Sequence, residues 1–277
     1  MKNKVGFCFT GEGARGSIQA GIALGLYKQG VQADYTIGIS SGSICAASYA
    51  YLGPQGLADM WCSISSIFDV FGINFDAPFR TGLLNQKPMK SIVKKALKND
   101  AICESTVCRM NIETGYMDYV SNHSSSKSDF EDAVLGSVAI TGLVEDYKGW
   151  VDAGSRQLAP LDQCIEAGCD KIYVIMGRPS YLEPWRKPKG LFRQFKMAFR
   201  ALDITLFEIM TRDVFSCIRS EDDPKFKGVD IHLVEPKDLA FESVEFKKCK
   251  YGVNYGLNSF TINDKKGIVK LLQNVQL

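Results

Sequence analysis

Two strand–turn–helix units in tandem open the chain, and each turns on glycine. The apolar run KVGFC passes through FTGEGARGS into SIQAGIALGLYKQG, and YTIGI passes into SSGSICAASYAYLG. A βαβα order of this kind predicts a parallel sheet joined by right-handed crossovers. The first strand is expected from Val5 to Thr10. The first helix is expected from about Ser17 to Gln29, stopped by Gly30, and the second helix stops near Gly53. Downstream, VCRMNIETGYMDYV reads as a hairpin about Glu113-Thr114-Gly115, and NHSSSKSD, Asn122 to Asp129, reads as a surface loop. IYVIM (Ile172 to Met176) and IHLVE (Ile231 to Glu235) are later strands, with a helical region over roughly Leu191 to Ser216. No repeat, low-complexity linker or boundary signal divides the chain. The expectation is one domain over residues 1–277, a three-layer α/β/α fold with a mostly parallel central sheet.

At 277 residues the chain can bury a large core. A formal charge of +2 is too small to indicate a nucleic-acid partner. The nine cysteines form no metal pattern. Cys103 and Cys108, like Cys164 and Cys169, have four residues between them, and no histidines accompany them. An odd number scattered through apolar runs fits reduced thiols in a cytoplasmic protein. The N-terminal apolar run is too short for a signal-peptide core and ends in the glycine loop. No stretch reaches the ~18 apolar residues of a spanning helix, so any action on membranes is expected from the surface.

Gly11, Gly13 and Gly16, between a strand and a helix, expose backbone amides to an anion. A dinucleotide's pyrophosphate, a nucleotide's phosphates and the oxyanion of a reaction intermediate all suit such a loop. The dinucleotide reading, that of an oxidoreductase, needs an acid at the far end of the second strand. Asp34 lies at the near end, and GISSG occupies the far one. The P-loop reading fails because Ser17, not lysine, follows Gly16.

The remaining reading is an oxyanion. Gly38-Ile39-Ser40-Ser41-Gly42 is a G-x-S-x-G nucleophile elbow at a strand-to-helix junction. Small residues two before and two after the serine allow a sharp turn that lifts its hydroxyl clear of the sheet. The frame selects Ser40, since Ser41 and Ser43 lack glycines at those offsets. The nucleophile needs a base, and the chain has only two histidines: His123 in the polar serine loop, and His232 within an apolar strand. Asp152, in GWVDAGSRQLAP, is a third candidate, because partial burial raises a carboxylate's pKa toward that of a useful base. An Asx-type turn fits the same residues.

Together these segments resemble the patatin-like phospholipases. The family's G-G-G-x-[KR]-G is seen here as GEGARG, its G-x-S-x-G as GISSG, and its D-G-[GA] as DAG, in the same order and setting. The similarity runs on through VLGSVAITGLVEDYKGWVDAGSRQLAPLDQCIEAGCDKIYVIMGRPS and, more faintly, VDIHLVEPKDLAFESVE. The resemblance implies a serine acyl hydrolase that cleaves fatty-acyl esters of lipids: a phospholipase A, lysophospholipase or carboxylesterase without metal or cofactor. By carry-over Ser40 attacks the ester and Asp152 takes its proton. Backbone amides of the loop Gly11, Glu12, Gly13, Ala14, Arg15 and Gly16 hold the oxyanion. Gly38, Ser41 and Gly42 shape the elbow, and Ala153 and Gly154 complete the aspartate motif. Glu12 replaces the middle glycine, Ala153 the first glycine after the aspartate, and Thr141 a proline. A lipid-binding pseudo-hydrolase is the competing reading these replacements raise. Arg15 is expected either to add positive field or to pin the loop through a salt bridge.

WRKPKGLFRQFKMAFRAL, Trp185 to Leu202, holds six basic residues and no acid. As a helix from about Gly190 it sets Phe192, Phe195, Phe199 and Leu202 on one face, and Arg193, Lys196 and Arg200 on another. A basic amphipathic segment with aromatics can rest on anionic lipid at the inner membrane surface. Trp185, Arg186, Lys187 and Lys189 join these as candidate contacts. A helix packed on the domain with a solvated basic side fits the same pattern.

Overall fold

A computed structural model describes residues 3–182, 193–219 and 227–274. Its strands are β1 (Val5–Phe9), β2 (Tyr35–Ile39), β3 (Gly72–Ile73), β4 (Leu84–Asn85), β5 (Glu104–Asn111), β6 (Met117–Ser121), β7 (Trp150–Asp152), β8 (Lys171–Ile175), β9 (Asp230–Pro236) and β10 (Phe260–Asn263). Its helices are α1 (Gly16–Lys28), α2 (Ser41–Cys62), α3 (Lys87–Ala96), α4 (Lys127–Ser137), α5 (Leu161–Glu166), α6 (Arg193–Arg219), α7 (Cys249–Asn258) and α8 (Lys265–Asn274).

The main sheet has the order β10-β9-β8-β1-β2-β5-β6, with β7 also paired to β5. From β9 to β5 the neighbours are parallel. The outer β10, β6 and β7 are antiparallel. Central parallel strands are covered on both faces, so they read as unbroken apolar runs whose alternate residues enter different cores. Phe7, Phe9, Tyr173 and Ile175 pack with α1, α2 and α4 on one face. Cys8, Ile37, Ile172 and Val174 pack with residues of α5, α6 and α8 on the other. The expected three-layer architecture is the observed one.

Local chemistry explains the boundaries. Gly30 takes φ 84° after α1. Its N–H bonds the Tyr27 carbonyl at 2.9 Å, and the Val31 N–H bonds that of Leu26 at 3.0 Å, a Schellman closure. The expected stop at Gly53 is a break rather than an end. Gly53 is non-helical (φ 70°, ψ 176°), but Pro54 restarts the helix, which continues to Cys62. Proline is preorganised for a first helical turn, and Leu57, Ala58 and Trp61 then face the core. The serine loop is shorter than expected, because the Ser126 hydroxyl accepts the Asp129 N–H and starts α4 at Lys127. The hairpin turns at Gly115, as its φ of 71° requires. Among the described residues no helix is long and apolar enough to cross a membrane, and eight cysteines are free thiols.

α1 carries the glycine loop at its N-terminus and is held by α7 backbone to backbone. A Cβ on Gly21 would lie 2.1 Å from the Val253 carbonyl oxygen, and one on Gly256 would lie 2.1 Å from that of Ile18. These helices have no slack for a methyl group. Gly256→Ala is therefore expected to lower stability by roughly 2 kcal/mol, as overpacking does, read as a reduced urea midpoint with unchanged slope.

Candidate active site

Ser40 directly follows β2 and precedes α2, with φ 56° and ψ −129°. A non-glycine residue in this region is strained by about 1–3 kcal/mol and persists only where its surroundings over-determine it. They do so here. The Ser40 N–H donates to the Ser137 hydroxyl at 3.0 Å. Its carbonyl accepts the Ser43 N–H at 2.9 Å and the Ser43 hydroxyl at 2.6 Å. The flanking glycines are set by close approach: a Cβ on Gly38 would fall 2.0 Å from the Gly42 carbonyl oxygen, and one on Gly42 would fall 2.2 Å from that of Phe9.

Asp152 reaches the same place through β5. Along this strand Cys108 pairs with Ile39 of β2 and Tyr119 of β6, while Arg109 pairs with Asp152 of β7 and Asp118 of β6. Because β6 occupies one edge throughout, β2 and β7 share the other, end to end. Ile39 and Asp152 thus occupy successive positions on one edge, and the elbow lifts Ser40 away at the junction. The Ser40 side chain is a neighbour of the Asp152 carboxyl and draws its pKa down. The Gly154 N–H donates to Asp152 Oδ1 at 2.8 Å, and the Asp152 N–H donates to the Ala139 carbonyl at 2.9 Å. Burial pushes the Asp152 pKa up to about 6, against the opposing pull of the Ser40 and Gly154 hydrogen bonds. Ala153 fits in place of glycine because its methyl packs with Ile39, Cys108, Met110 and Val151 and its φ is not positive. Asp213 of α6 steadies the following turn, accepting the N–H groups of Leu158 at 2.6 Å and Ala159 at 3.1 Å.

The glycine loop wraps over the elbow, and most of its amides are already engaged. The Glu12 N–H donates to the Ser41 hydroxyl at 2.9 Å, Ala14 to the Ser243 carbonyl at 2.7 Å, and Arg15 to the Glu12 carbonyl at 3.3 Å. Gly16 bonds back into the turn. Among the described residues the amides of Gly11 and Gly13 have no acceptor, which narrows the six expected donors to these two. Gly13, at φ 60°, borders the same pocket as Ser40 and Ser41.

The Glu12 carboxyl turns away from Ser40. It accepts the Thr10 hydroxyl at 2.6 Å and the Gly177 N–H at 2.8 Å. Burial raises its pKa, opposed by the positive charges of Arg178 and Arg15. Arg15 is the pin rather than the field source. Its buried guanidinium donates to the Phe241 carbonyl at 2.8 Å and pairs with Asp203 and Glu242, each at 3.2 Å. Arg178 and Arg200 converge on the same Asp203, at 3.0 and 3.2 Å.

A small, half-open pocket borders Ser40. Gly13 and Ser41 border its polar floor, and Ile44, Trp61, Phe71, Met89 and Phe246 form apolar walls. Neither histidine belongs to this site. His232 Nε2 bonds Asp230 at 2.8 Å while the ring stacks on Tyr173 at 4.9 Å, and His123 is exposed in the turn after β6. Asp34 lies at the near end of β2, as its sequence position indicates, and accepts the Val5 N–H at 2.9 Å. No cluster of metal-ligating side chains occurs among the described residues.

The basic segment is only partly visible. Trp185, Arg186, Lys187, Lys189 and Phe192 lie outside the described residues, as do the side chains of Phe195, Lys196 and Phe199. Arg193 is exposed. Arg200 corrects the expectation of a lipid-facing charge, because it is turned inward to Asp203 by an ion pair in a protein-lined environment. Ser137 and Asp213 escape a reading by motif. A single serine or aspartate on a helix has no pattern of its own, and both act on backbone brought in from elsewhere.

The family model for patatin-like phospholipases matches residues 7–165, which include both Ser40 and Asp152. Among solved structures, VipD from Legionella pneumophila superposes with a TM-score of 0.50 at 13% identity, covering 99% of this chain and 67% of that one. At that identity the likeness is one of fold. No curated protein matches the sequence.

The raised Asp152 pKa has a consequence for stability. Below about pH 4 the group is protonated in folded and unfolded chains alike, and the stability linked to its proton is fully present. Between about 4 and about 6 the folded state keeps a proton that the unfolded state has lost, so this group's contribution falls as pH rises and stays lost above. Asp152→Asn, which keeps the turn's acceptor oxygen, is expected to stabilise the protein at pH 7.5 by roughly 1–3 kcal/mol. The gain should vanish near pH 4, as read from urea unfolding at both values.

Proposed function

The chain belongs to the patatin-like phospholipase family, and from that premise we propose that it is a serine acyl hydrolase working through a Ser40–Asp152 dyad on fatty-acyl esters of lipids. The observation that carries the reading is that Ser40, which lines an apolar pocket, has as its neighbour a carboxyl whose pKa is raised to about 6. In water a carboxylate is too weak a base for an alcohol. Half-buried, next to the hydroxyl and held in a fixed orientation, it takes a proton as the attack develops.

On this reading the acyl chain lies along Ile44, Trp61, Phe71 and Phe246, and the ester carbonyl sits over Ser40. Ser40 Oγ attacks the carbonyl carbon while Asp152 accepts its proton. The tetrahedral oxyanion takes the N–H groups of Gly13 and of Ser41, first residue of α2, both residues that border the pocket. Each such donor is worth on the order of 3 kcal/mol of barrier. As the carbon–oxygen bond to the alcohol breaks, Asp152 returns the proton to the leaving oxygen. Asp152 then draws a proton from water, which attacks the acyl-serine, releases the fatty acid and restores the Ser40 hydroxyl.

The replacements at Glu12 and Ala153 do not favour a pseudo-hydrolase. The Glu12 charge is directed into the arginine cluster, away from the pocket, and the Ala153 methyl occupies space beneath the strand. With a lipid ester or a short-chain nitrophenyl ester, Ser40→Ala and Asp152→Asn are each expected to lower kcat by at least about a thousandfold. Removing both histidines should leave it within about twofold. A fluorophosphonate should label Ser40. The log of kcat/KM should rise with pH and level off above an apparent pKa of about 6, because the base must be ionised. Undiminished turnover by Ser40→Ala would reject the mechanism.

A further inference from the structure

Between α2 and α3 the chain displays its densest run of exposed large apolar side chains among the described residues. Phe75 is 96% exposed and Phe79 90%, with Phe68, Ile73 and Leu83 also mostly open to solvent. Rings left in water on a surface loop mark a contact surface. The loop is held in shape. The Asn74 side-chain amide donates to the Gly82 carbonyl and to Glu145, each at 3.0 Å, and the Thr81 hydroxyl donates to Asp146 at 2.7 Å. The Leu84 N–H donates to the Leu143 carbonyl at 2.9 Å, and the Glu145 N–H to that of Leu84 at 2.8 Å.

Two further observations identify what covers these rings. The loop adjoins the Ser40 pocket: Phe71, within the loop, and Met89, on α3 just beyond it, both line that pocket. Whatever the rings enter therefore adjoins the route to Ser40. Immediately beyond, α3 exposes Lys87, Lys94 and Lys95, with Lys98 following and no acid from Lys87 to Lys98. The acids on the loop itself are occupied. Asp76 pairs with Arg80 at 2.9 Å, and Asp69 accepts the Ser65 and Ser66 N–H groups.

We propose that residues 68–83 form an interfacial docking loop that inserts Phe75 and Phe79 into a bilayer bearing anionic lipid, with the α3 lysines on its head groups. This rests on the acyl-hydrolase reading for its purpose but not for its test. Aromatic insertion beside basic side chains is how a peripheral protein holds an anionic membrane. Here it sets the pocket mouth against the layer that contains the ester.

The test uses the full chain carrying Ser40→Ala, so that turnover cannot alter the membrane, sedimented with phosphatidylcholine vesicles with and without phosphatidylglycerol. Phe75→Ser with Phe79→Ser is expected to weaken partition to the mixed vesicles by about a hundredfold. Lys87→Glu, Lys94→Glu and Lys95→Glu together should remove the preference for phosphatidylglycerol. With Ser40 intact, the double Phe variant should hydrolyse a water-soluble ester at the parent rate and vesicle lipid far more slowly. If the parent hydrolyses neither, the acyl-hydrolase reading fails while the partition result still decides the docking loop. Unchanged partition in the double Phe variant overturns the proposal. So does self-association in sedimentation velocity that this variant abolishes while partition stays intact, which would assign the rings to a second copy of the chain.

Discussion

One edge of β5 holds the site together. β2 and β7 dock on it from opposite directions and meet between Cys108 and Arg109, which brings the residues after Ile39 and around Asp152 into one small volume. The register of both strands is set by side chains that must enter the right layer, and a slip of one residue would turn each to the other face. The sheet that stabilises the protein therefore also fixes the relation of alcohol to carboxyl. The backbone at Ser40 is forced to φ 56°, and its hydrogen bond to Ser137 and those it accepts from Ser43 keep it there.

A second constraint couples this centre to the later part of the chain. Arg15, beneath the glycine loop, is bound to Asp203 of α6 and to the 241–242 turn, beyond the span that the family model matches. Arg178 joins the same Asp203, and its charge also faces Glu12. Buried ion pairs contribute little net stability, because desolvation offsets their attraction, yet breaking one leaves a stranded charge. Here the cluster defines position: it holds the loop's curvature while the loop's amides approach the elbow. In the same manner α7 fixes α1, whose first residue is the last of the loop.

Much of this was legible in the residues. β1, α1 and β2 follow from apolar runs and glycine punctuation, which also mark Gly53 but as an end, not as the break it is. The elbow follows from glycines at fixed offsets from Ser40. Asp152 stands out for its small-residue turn and the chain's scarcity of histidine. What was not legible depends on partners far apart in the polymer. Ser137 matters only because α4 ends beside the elbow. The engagement of the Ala14 amide depends on the Ser243 carbonyl. The inward turn of Arg200 depends on Asp203 standing among three arginines.

The amino-acid order alone determined the alternation of strand and helix, the sharp turn at Ser40 and the candidates for the reacting groups, because propensity, periodicity and close approach act over a few neighbouring residues. Tertiary structure alone decided which loop amides remain open, where the Glu12 charge points and how far burial lifts the Asp152 carboxyl. Those quantities are set by desolvation and by competition for hydrogen bonds among segments that meet only in the folded chain.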